Sequence, residues 1–432
     1  MTGQWEWTTL REVLVPQPNK KPLQQGWSPK CIPTPSPDSE TWGVLKTTAI
    51  QPGRFDETQN KELPATLAPR PAIEVQQGDL LMTCAGPRSR CGIPALVRST
   101  RPRLMMSGKM YRFRPVEGVD SAFLEKWLLS AEAQARIDAM KTGISDSGLN
   151  LTQDRFLALP VPVPEISEQR RIVEIVEEFF SRIESAENGL RSSGVRAAAS
   201  VTSWLHHRLR SEGYSSSALG TFVESIRGGW SRSRRHVVDA SDGVPYLKMN
   251  NITSSGAFDL SEMVHVGASE DDLAKYSIRH GDLLFNSKNS FDLVGKSAVV
   301  DASLEGAVFN ENIMRIRLDE NLLPGFLRLW LLSPEGRRTI QGAASASTNV
   351  SAVYQSQILK MTIPVPTVPD QAYIIEEFDG LQSSIGVLSG ELSKQAFHAR
   401  ALRRAILTAA FAGRLTGRST DAEVIEELAA SR

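Results

Sequence analysis

The chain contains an internal repeat, and this feature limits the possible folds more than any other. Four separated blocks recur in the same order at a spacing of 202 or 203 residues: Val44 with Tyr246, Gly78 with Gly281, Phe123 with Phe326, and Pro162, Pro164, Gln169 and Ile172 with Pro364, Pro366, Gln371 and Ile374. Repeats of this kind indicate that one structural unit occurs more than once. The 432 residues are therefore expected to form two copies of one unit, each with its own hydrophobic core.

Each copy predicts a mixed α/β globular part. Short apolar and β-branched runs, such as 246–249 and 298–300, alternate with turn clusters rich in Gly, Asn, Asp and Pro. One helix is expected to interrupt these runs, over 123–140 in the first copy and 325–341 in the second. The Pro-rich stretch after each globular part holds the chain extended, because Pro fixes its own φ and restricts the residue before it.

A long helix is predicted to follow each Pro-rich stretch. Its apolar residues recur at steps of four and three, the heptad pattern of a coiled coil. The predicted seam comprises Ile172, Val176, Phe179, Ile183 and Leu190 in the first helix and Ile374, Phe378, Leu381, Ile385 and Leu392 in the second. A length of about 40 residues corresponds to about 60 Å. The alternative is a hairpin of two shorter helices, broken at Gly189 and Gly194 or at Gly386 and Gly390.

The net charge is zero, with 49 basic and 49 acidic residues, which by itself speaks against binding of nucleic acid. The charges are segregated, however. The segment 80–116 has no acidic residue and eight basic ones, namely Arg88, Arg90, Arg98, Arg101, Arg103, Lys109, Arg112 and Arg114. The start of the first long helix, 165–190, carries seven Glu and three Arg. The basic segment is a candidate nucleic-acid surface, whereas the helix start should face solvent or a protein.

The second copy has a basic loop of its own, which carries Arg227, Arg232, Arg234 and Arg235 around Trp230. Glycine and tryptophan between the arginines suit a loop that approaches a phosphate backbone. Asparagines and lysines such as Asn250, Asn251, Lys288 and Asn289 could contact bases or phosphates. For any single residue the alternative remains a solvated surface position, or for Asn a turn.

Known catalytic motifs do not occur in the chain. The Gly295-Lys296-Ser297 sequence resembles the end of a phosphate-binding loop, but Ser290 stands where that loop needs a glycine. Three cysteines, Cys31, Cys84 and Cys91, without a C-x-x-C pair argue against a disulfide framework and a zinc site. The sequence also shows no signal peptide and no apolar run long enough to span a membrane. We therefore expect a cytoplasmic binding protein without cofactor or metal.

Two globular units, each ending in a P-x-P-x(4)-Q block that opens a heptad helix, resemble the specificity subunit of type I restriction-modification enzymes. The resemblance covers nearly the whole chain and includes both Gly-Asp-Leu-Leu segments, at Gly78 and Gly281, and the NLT and NVS sequences at Asn150 and Asn349. The second copy departs from the pattern, since Asp370 replaces the usual Glu, and Ala372 and Tyr373 stand where the first copy has Arg170 and Arg171. The two helices are therefore expected to differ in their partner contacts.

The resemblance implies an α+β fold with two α/β target-recognition domains in a pseudo-two-fold tandem repeat, separated by two long antiparallel coiled-coil helices. We expect the first domain at 1–160, its helix at 161–212, the second domain at 213–363, its helix at 364–415 and an acidic C-terminal tail at 416–432. Each domain would read one half of a bipartite double-stranded DNA site. The helices would bind modification methyltransferase subunits, two of them by symmetry, and restriction subunits would join through the complex.

The candidate DNA-binding residues follow from the basic segments and the neighbouring polar turns. They are Lys46, Arg88, Ser89, Arg90, Arg98, Arg101 and Arg103 in the first domain, and Arg227, Trp230, Arg232, Arg234, Arg235, Lys248, Asn250, Asn251, Lys288 and Asn289 in the second. The alternative function is a coiled-coil adaptor that assembles proteins without reading DNA. Both functions predict the heptads, but only DNA recognition explains the basic segments on the globular parts.

Overall fold

The computed structural model describes residues 5–17, 20–209, 213–346, 350–415 and 421–430, apart from the side chains of Arg234 and Ala346. Within these ranges the chain divides into two compact units. Unit 1 comprises Met1–Gly189 and Ser393–Arg432, and unit 2 comprises Leu190–Leu392. Each unit thus contains one globular part and one half of each long helix. The expected division kept every helix whole, as a segment separate from the globular parts.

Unit 1 is built on a four-stranded antiparallel sheet. Its strands lie in the order Gln24–Gln25, Met110–Phe113, Leu80–Thr83 and Pro94–Leu96. A second sheet has the order Leu104–Met105, Gly43–Leu45 and Asn60–Glu62, and three short pairs join Glu6–Thr9 to Pro160–Val163, Leu149–Asn150 to Ala85–Gly86, and Ile50–Gln51 to Arg54–Phe55. The helices Ser121–Leu129, Ala131–Met140 and Gln153–Leu157 complete the globular part.

Unit 2 repeats this arrangement. Its main sheet has the order Val223–Gly228, Ile313–Leu318, Leu283–Asn286 and Ser297–Val299. The second sheet has the order Val237–Val238, Val264–Val266, Val244–Leu247 and Val308–Phe309, and shorter groups join Ser215–Ala218 to Thr362–Val365, and Lys288–Asn289 to Ser351–Ala352 and Ser345–Ala346. The helices are Glu270–Tyr276, Pro324–Leu332, Pro334–Ala343 and Gln355–Leu359. The main sheets have the same strand order, and the second sheet of unit 2 contains the three strands of its counterpart in unit 1, with Val237–Val238 added at one edge. This agreement confirms the predicted repeat and the mixed fold class.

The repeated Gly-Asp-Leu-Leu segment starts a central strand of each main sheet. Asp79 is fully buried, and its Oδ1 accepts a hydrogen bond from Arg114 Nε at 2.7 Å. In unit 2, Asp282 accepts a hydrogen bond of the same length from Arg317 Nε. The glycine before each Asp has a positive φ, +88° at Gly78 and +84° at Gly281, which other residues rarely adopt. In each unit the Gly and the Asp of the repeated segment thus fix the start of a core strand.

The single helix expected in each globular part is instead two helices. Ser130 ends the first helix of unit 1, and its hydroxyl accepts a hydrogen bond from the backbone N–H of Ala133, so it is the N-cap of the second. Ser333 does the same in unit 2 through Gly336 N–H. The apolar periodicity continues across the break, because both helices face one core. The serine that ends the repeated Phe-Leu-x-x-Trp-Leu-Leu-Ser block therefore marks a helix boundary.

Both long helices are continuous, over Ile166–Arg208 and Val368–Phe411, so the hairpin alternative is wrong. In unit 1 the first helix packs antiparallel to the end of the second, as shown by the contact of Glu187 with Arg403 and that of Arg171 with the carbonyl of Leu415. In unit 2 the Trp204 indole N–H donates to the Glu377 carboxylate, and a Cβ at Gly194 would contact the Leu392 side chain. These contacts show that the helix halves of unit 2 are also antiparallel. The antiparallel coiled-coil prediction is confirmed within each unit.

The predicted seam residues differ in how deeply they are buried. Those near the globular parts are buried, namely Ile172, Val176, Ile183, Ile374 and Phe378. The other five are only partly buried, namely Phe179 and, towards the middle of the helices, Leu190, Leu381, Ile385 and Leu392. The heptads are therefore packed most tightly where the helix halves also contact a globular core.

The segment expected to be an acidic tail contains a helix, Asp421–Ala430. Ile425 is buried, and Val424 and Leu428 pack against the same cluster in unit 1, which also contains Ile406 of the second long helix. The apolar residues in this acidic stretch therefore have a packing role. Among the described residues, no helix is both long enough and apolar enough to cross a membrane.

Candidate nucleic-acid interface

The candidate interface of unit 2 begins at a Gly-Trp turn. The N–H of Trp230 donates to the carbonyl of Phe309 at 2.8 Å, and Trp230 forms a bridge with Asn310. A Cβ at Gly229 would lie 2.2 Å from the Asn310 carbonyl oxygen, so only glycine allows the two backbones to approach this closely. The turn is therefore fixed against the loop at Asn310.

Two more loops meet the same place in unit 2. The carbonyl of Asn312 accepts hydrogen bonds from Ser287 N at 2.8 Å and from Ser287 Oγ at 3.0 Å. The side chain of Asn286 donates from Nδ2 to the Met249 carbonyl at 2.9 Å. These bonds bring the predicted residues near positions 230, 250 and 288 to one side of the unit, although they lie far apart in sequence.

Unit 1 has the same arrangement. Trp27 N–H donates to Met106 O at 3.0 Å, and a Cβ at Gly26 would lie 2.3 Å from that oxygen. Cys84 N–H donates to Lys109 O at 2.9 Å. Arg90 takes the place of Asn286, since its guanidinium donates to the carbonyls of Thr47 and Ile50.

We call this side the loop face of each unit. In unit 1 it comprises residues 26–28, 46–51, 84–90 and 107–109, and in unit 2 it comprises residues 229–232, 248–252, 287–290 and 310–312. The position 202 residues before Met249 is Thr47, so the same backbone carbonyl is held in both units, by Arg90 in one and by Asn286 in the other. The loop face thus combines a common backbone with different side chains.

Four predicted residues of unit 2 lie on the loop face with accessible side chains. Asn250 and Lys288 are exposed, and Lys248 and Asn289 are partly exposed. Asn251 is different, because it is 2% exposed, its Oδ1 accepts from Lys248 N–H and its Nδ2 donates to Asp259 O. The prediction that Asn251 contacts DNA is not supported by this position, since its amide holds a turn.

Trp230 and Arg232 form a stack rather than an open basic loop. The Arg232 guanidinium lies 3.2 Å from the Trp230 ring centroid, and Tyr276 stacks on the same indole at 5.6 Å between centroids. Arg232 also pairs with Asp272 at 3.4 Å. Hydrogen bonds from Ser269 hold the pKa of Asp272 below its usual value, so the carboxylate is ionised near neutral pH. The charge of one of the four arginines of this loop, Arg232, is therefore neutralised.

The other basic residues of this loop are placed differently. Arg227 is exposed on the outer strand of the main sheet, two residues before Gly229, and Arg235 is exposed. The side chain of Arg234 and residue Asn349, which was part of the repeat motif, lie outside the described residues. DNA contact by Arg227, Arg234 and Arg235 stays a prediction.

The segment 80–116 contains no acidic residue, but acidic residues from other parts of unit 1 lie beside its arginines in the folded protein. Arg88 pairs with Asp138 at 2.7 Å and with Asp146 at 3.0 Å, and the hydrogen bond to Asp146 is the main cause that raises the pKa of Arg88. Arg112 and Arg114 both face the buried Asp79. The local charge of this segment therefore overstates the positive charge that a ligand would meet.

On the loop face of unit 1, Lys46 is partly exposed and Ser89 is exposed, next to Arg88 and Arg90. Arg98, Arg101 and Arg103 lie elsewhere in the unit. Arg98 bonds Glu125 at 2.9 Å and Glu177 of the first long helix at 3.0 Å. Arg101 bonds the loop at Ser36, and Arg103 pairs with Glu40 at 2.9 Å. Three of the seven candidates in the first domain thus hold the fold together.

Sequence reasoning missed Trp27 and the loop at 310–312, and it placed Lys109 in the basic segment without relating its loop to Trp27. The signal was present, because Gly26-Trp27-Ser28 recurs as Gly229-Trp230-Ser231 at the repeat spacing of 203 residues. Within the described ranges, no three His, Cys, Asp or Glu side chains are grouped so that they could hold a metal ion.

Comparisons with known proteins agree with this geometry. A sequence model of the family described as "Type I restriction modification DNA specificity domain" matches residues 76–191. The EcoEI type I restriction enzyme specificity subunit of Escherichia coli is 35% identical over 190 residues, which are 44% of this chain and 31% of that protein. The EcoKI specificity subunit of Escherichia coli K12 is 20% identical over 90% of this chain and 88% of its own length.

A solved structure from a study of complex assembly and conformational transition in a type I R-M system has the same fold. It covers 95% of this chain and 98% of its own, with a TM-score of 0.68 and 20% sequence identity. The chain is therefore similar to type I restriction-modification specificity subunits, in sequence and in fold.

Proposed function

We propose that this chain is the DNA-recognition subunit of a type I restriction-modification complex. Each unit binds one half of a bipartite double-stranded DNA site through its loop face. The observation that carries the proposal is that both units have the same loop-face backbone, fixed by Gly26 and Gly229, but different side chains on it. One scaffold with two sets of side chains is suited to read two different half-sites.

The contacts on each loop face differ in chemistry. In unit 1 the accessible groups include the cations Lys46 and Lys109. In unit 2 they include Asn250, Lys288 and Asn289, and amide side chains can pair with base edges in the major groove. Arg98, Arg101 and Arg103 support the fold of unit 1 and contribute to DNA binding only through it.

The long helices bind the modification methyltransferase subunits in this proposal, two per chain because the unit is duplicated. Their surfaces carry large apolar side chains in solvent, such as Val387, 74% exposed, in unit 2 and Phe397, 66% exposed, in unit 1. Single exposed apolar residues are common on protein surfaces and only a contiguous patch marks an interface, so the assignment of this role to the helices rests on the related specificity subunits. Restriction subunits join through the assembled complex, and the chain itself supplies no catalytic group or cofactor and acts in the cytoplasm.

A coiled-coil adaptor that does not read DNA is not favoured. It would explain the long helices but not the duplicated loop faces, and the related proteins are specificity subunits. Sequencing of methylated bases in the host with and without the gene tests the proposal. We expect one bipartite methylated motif to disappear with the gene, and an unchanged methylation pattern would contradict DNA recognition in a methyltransferase complex.

A gel-shift assay on the assembled complex tests the choice of loop. Changing Arg232, Arg234 and Arg235 together to Ala should weaken binding to the methylated motif's sequence, because three positive charges next to the Trp230 turn are lost, although Asp272 already pairs with that of Arg232. Unchanged binding would exclude this loop from the interface while leaving the methylation result in place.

A further inference from the structure

Trp27 on the loop face of unit 1 carries an arginine on its ring. The Arg70 guanidinium carbon lies 4.0 Å from the ring centroid. The backbone N–H of Trp27 donates to Met106 O, which fixes the turn. The Trp27 ring packs against the core cluster that includes Val44, and this packing holds the indole in place. Arg70 comes from a different loop, 43 positions later in the sequence. The stack therefore orders a long side chain that would otherwise be mobile.

The guanidinium of Arg70 is available for another partner. Arg70 is exposed, and no carboxylate of the described residues pairs with it. Stacking occupies the flat face of the group, whereas its N–H bonds lie in the plane and point outwards from the edges. A group held in this way presents a fork of donors that fits the oxygens of a phosphate.

In the equivalent stack of unit 2, the arginine is paired with a carboxylate. Arg232 lies over Trp230, which corresponds to Trp27 at the repeat spacing, but the carboxylate of Asp272 pairs with it. The Arg232 side chain is also only 20% exposed. The two units therefore share the Trp–Arg stack, and only the one in unit 1 carries a cation without a carboxylate partner in the described parts of the chain.

The surroundings of Trp27 are basic. Gly108 N–H donates to Ser28 Oγ at 3.0 Å, so the loop that carries the exposed Lys109 lies beside the Trp27 turn. Lys30 is exposed three residues after Trp27. The segments 26–30 and 107–109 contain no acidic residue. An anion that approaches Arg70 thus meets further positive charge and no negative charge from these segments.

We propose that Arg70 contacts a backbone phosphate of the half-site bound by unit 1, and that Trp27 is its positioning residue. The inference rests on the proposed function and names a contact that the basic sequence segments did not indicate, since Arg70 lies outside them. A phosphate contact fixes the register of the unit on DNA without carrying sequence information. The equivalent Arg232 makes a weaker contact or none, because Asp272 neutralises it.

The test uses the full chain assembled with its methyltransferase subunits and a duplex that carries the methylated motif. Affinity is measured between about 0.05 and 0.2 M salt, because each phosphate contact contributes about 0.9 to the slope of log K against log salt. Arg70→Ala should lower that slope by about 0.9 and weaken binding about five-fold at about 0.15 M salt. The ratio of affinities for the motif and for single-base variants of it should not change.

Two variants address the role of Trp27. Trp27→Leu should have the same effect as Arg70→Ala, and the double variant should be no worse, because both changes remove one interaction. Trp27→Phe keeps a ring under the guanidinium and should retain most of the binding. Arg136→Ala is the matched control, since it removes the same charge from an exposed site on another helix of unit 1 and should leave the salt slope unchanged.

A salt slope in Arg70→Ala equal to that of the wild type would overturn the inference, as would a loss of discrimination at one base pair, which would indicate a base contact instead. Thermal unfolding of each variant identifies a loss that comes from misfolding. Binding of the motif by the wild-type complex is measured first. If the wild type does not prefer the motif, the proposed function fails as well, so the two failures are distinguishable.

Discussion

Gln169 accepts the backbone amide hydrogen of Asp120 on its Oε1 at 2.8 Å, which ties the first long helix to the globular part of unit 1. Its Nε2 donates to Gly118 O at 3.0 Å and to Pro164 O at 2.8 Å, and the side chain is fully buried. Gln371 makes the same three bonds in unit 2, with Leu323, Asn321 and Pro366. The repeated glutamine is therefore a joint between helix and domain, with all its bonds within one unit.

Replacing this joint should destabilise the unit that contains it. Gln169→Ala removes three hydrogen bonds, of which the one to the Pro164 carbonyl is buried, whereas the groups of Gly118 and Asp120 lie where water can reach them. A buried group without a partner costs about 1 to 3 kcal/mol, so we expect a loss of about 2 kcal/mol in the free energy of unfolding. Gln371→Ala should have a similar effect on unit 2. Chemical denaturation measures both, and the exposed Gln77→Ala should stay within about 0.5 kcal/mol of the wild type. An equal response of Gln77 and Gln169 would contradict the assigned role.

This joint also shows what sequence can and cannot predict. The P-x-P-x(4)-Q block was recognisable because its parts are close together and recur after 202 residues. Its role was not, because the bond from Asp120 spans 49 residues. The long helices were predictable for the same reason, since heptad periodicity is local. The break at Ser130 was missed because the apolar pattern is the same on both sides of it.

The candidate site was only partly predictable. The sequence located basic segments, but it could not show that Asp138 and Asp146, 50 and 58 residues away, would pair with Arg88. It also could not show that Asp272 would pair with Arg232, 40 residues earlier. Charge counts along a chain ignore partners brought in by folding. The repeat spacing was the better guide, because it relates Trp27 to Trp230 directly.

The glycines under the two tryptophans should not tolerate a side chain. A Cβ would lie 2.3 Å from a backbone oxygen at Gly26 and 2.2 Å at Gly229. Gly26→Ala and Gly229→Ala should each lower stability by about 1 to 3 kcal/mol and weaken DNA binding, because the loop face is displaced. Gly228→Ala is the control, since nothing lies within 4 Å of its Cβ position. Thermal unfolding and gel shifts provide the readouts, and a normal melting temperature for Gly229→Ala would show that the turn can relax.

Cys84 should be unreactive in the folded chain. Burial raises the pKa of its thiol to about 12 from 9.0, and only the thiolate reacts with a thiol reagent. Cys31 is partly exposed, so an aromatic disulfide reagent at about pH 8 should label Cys31 first and Cys84 only after unfolding. Mass spectrometry of the labelled peptides gives the order, and the Cys31→Ser variant shows whether another thiol reacts early. Rapid labelling of Cys84 would indicate that the main sheet of unit 1 opens readily.

The same pKa shift gives a pH dependence of stability. Below about pH 9 the thiol is protonated in both states and has no effect. Above it the unfolded chain loses the proton while the folded chain keeps it, so stability falls as the pH rises from about 9 towards about 12. At about pH 10 the effect of Cys84 lowers the free energy of unfolding by about 1 kcal/mol relative to its value below about pH 9. Denaturation of Cys84→Ala between about pH 8 and 10 should therefore show a smaller decrease than the wild type.

The length of the long helices should set the spacing between the two half-sites. Removing residues 190–196 and 390–396 takes seven residues from each helix around the contact of Gly194 with Leu392, and keeps the heptad register of what remains. Seven residues correspond to about 10 Å of helix and about 3 base pairs of DNA. We expect methylation mapping to find both half-sites unchanged and the gap between them shortened by about 3 base pairs.

Removal of seven residues from only one helix is the control, and it should abolish methylation because the two seams no longer match. A changed half-site in the double deletion would contradict the separation of roles, since the loop faces lie outside the deleted segments and should read the same bases on a shorter spacer.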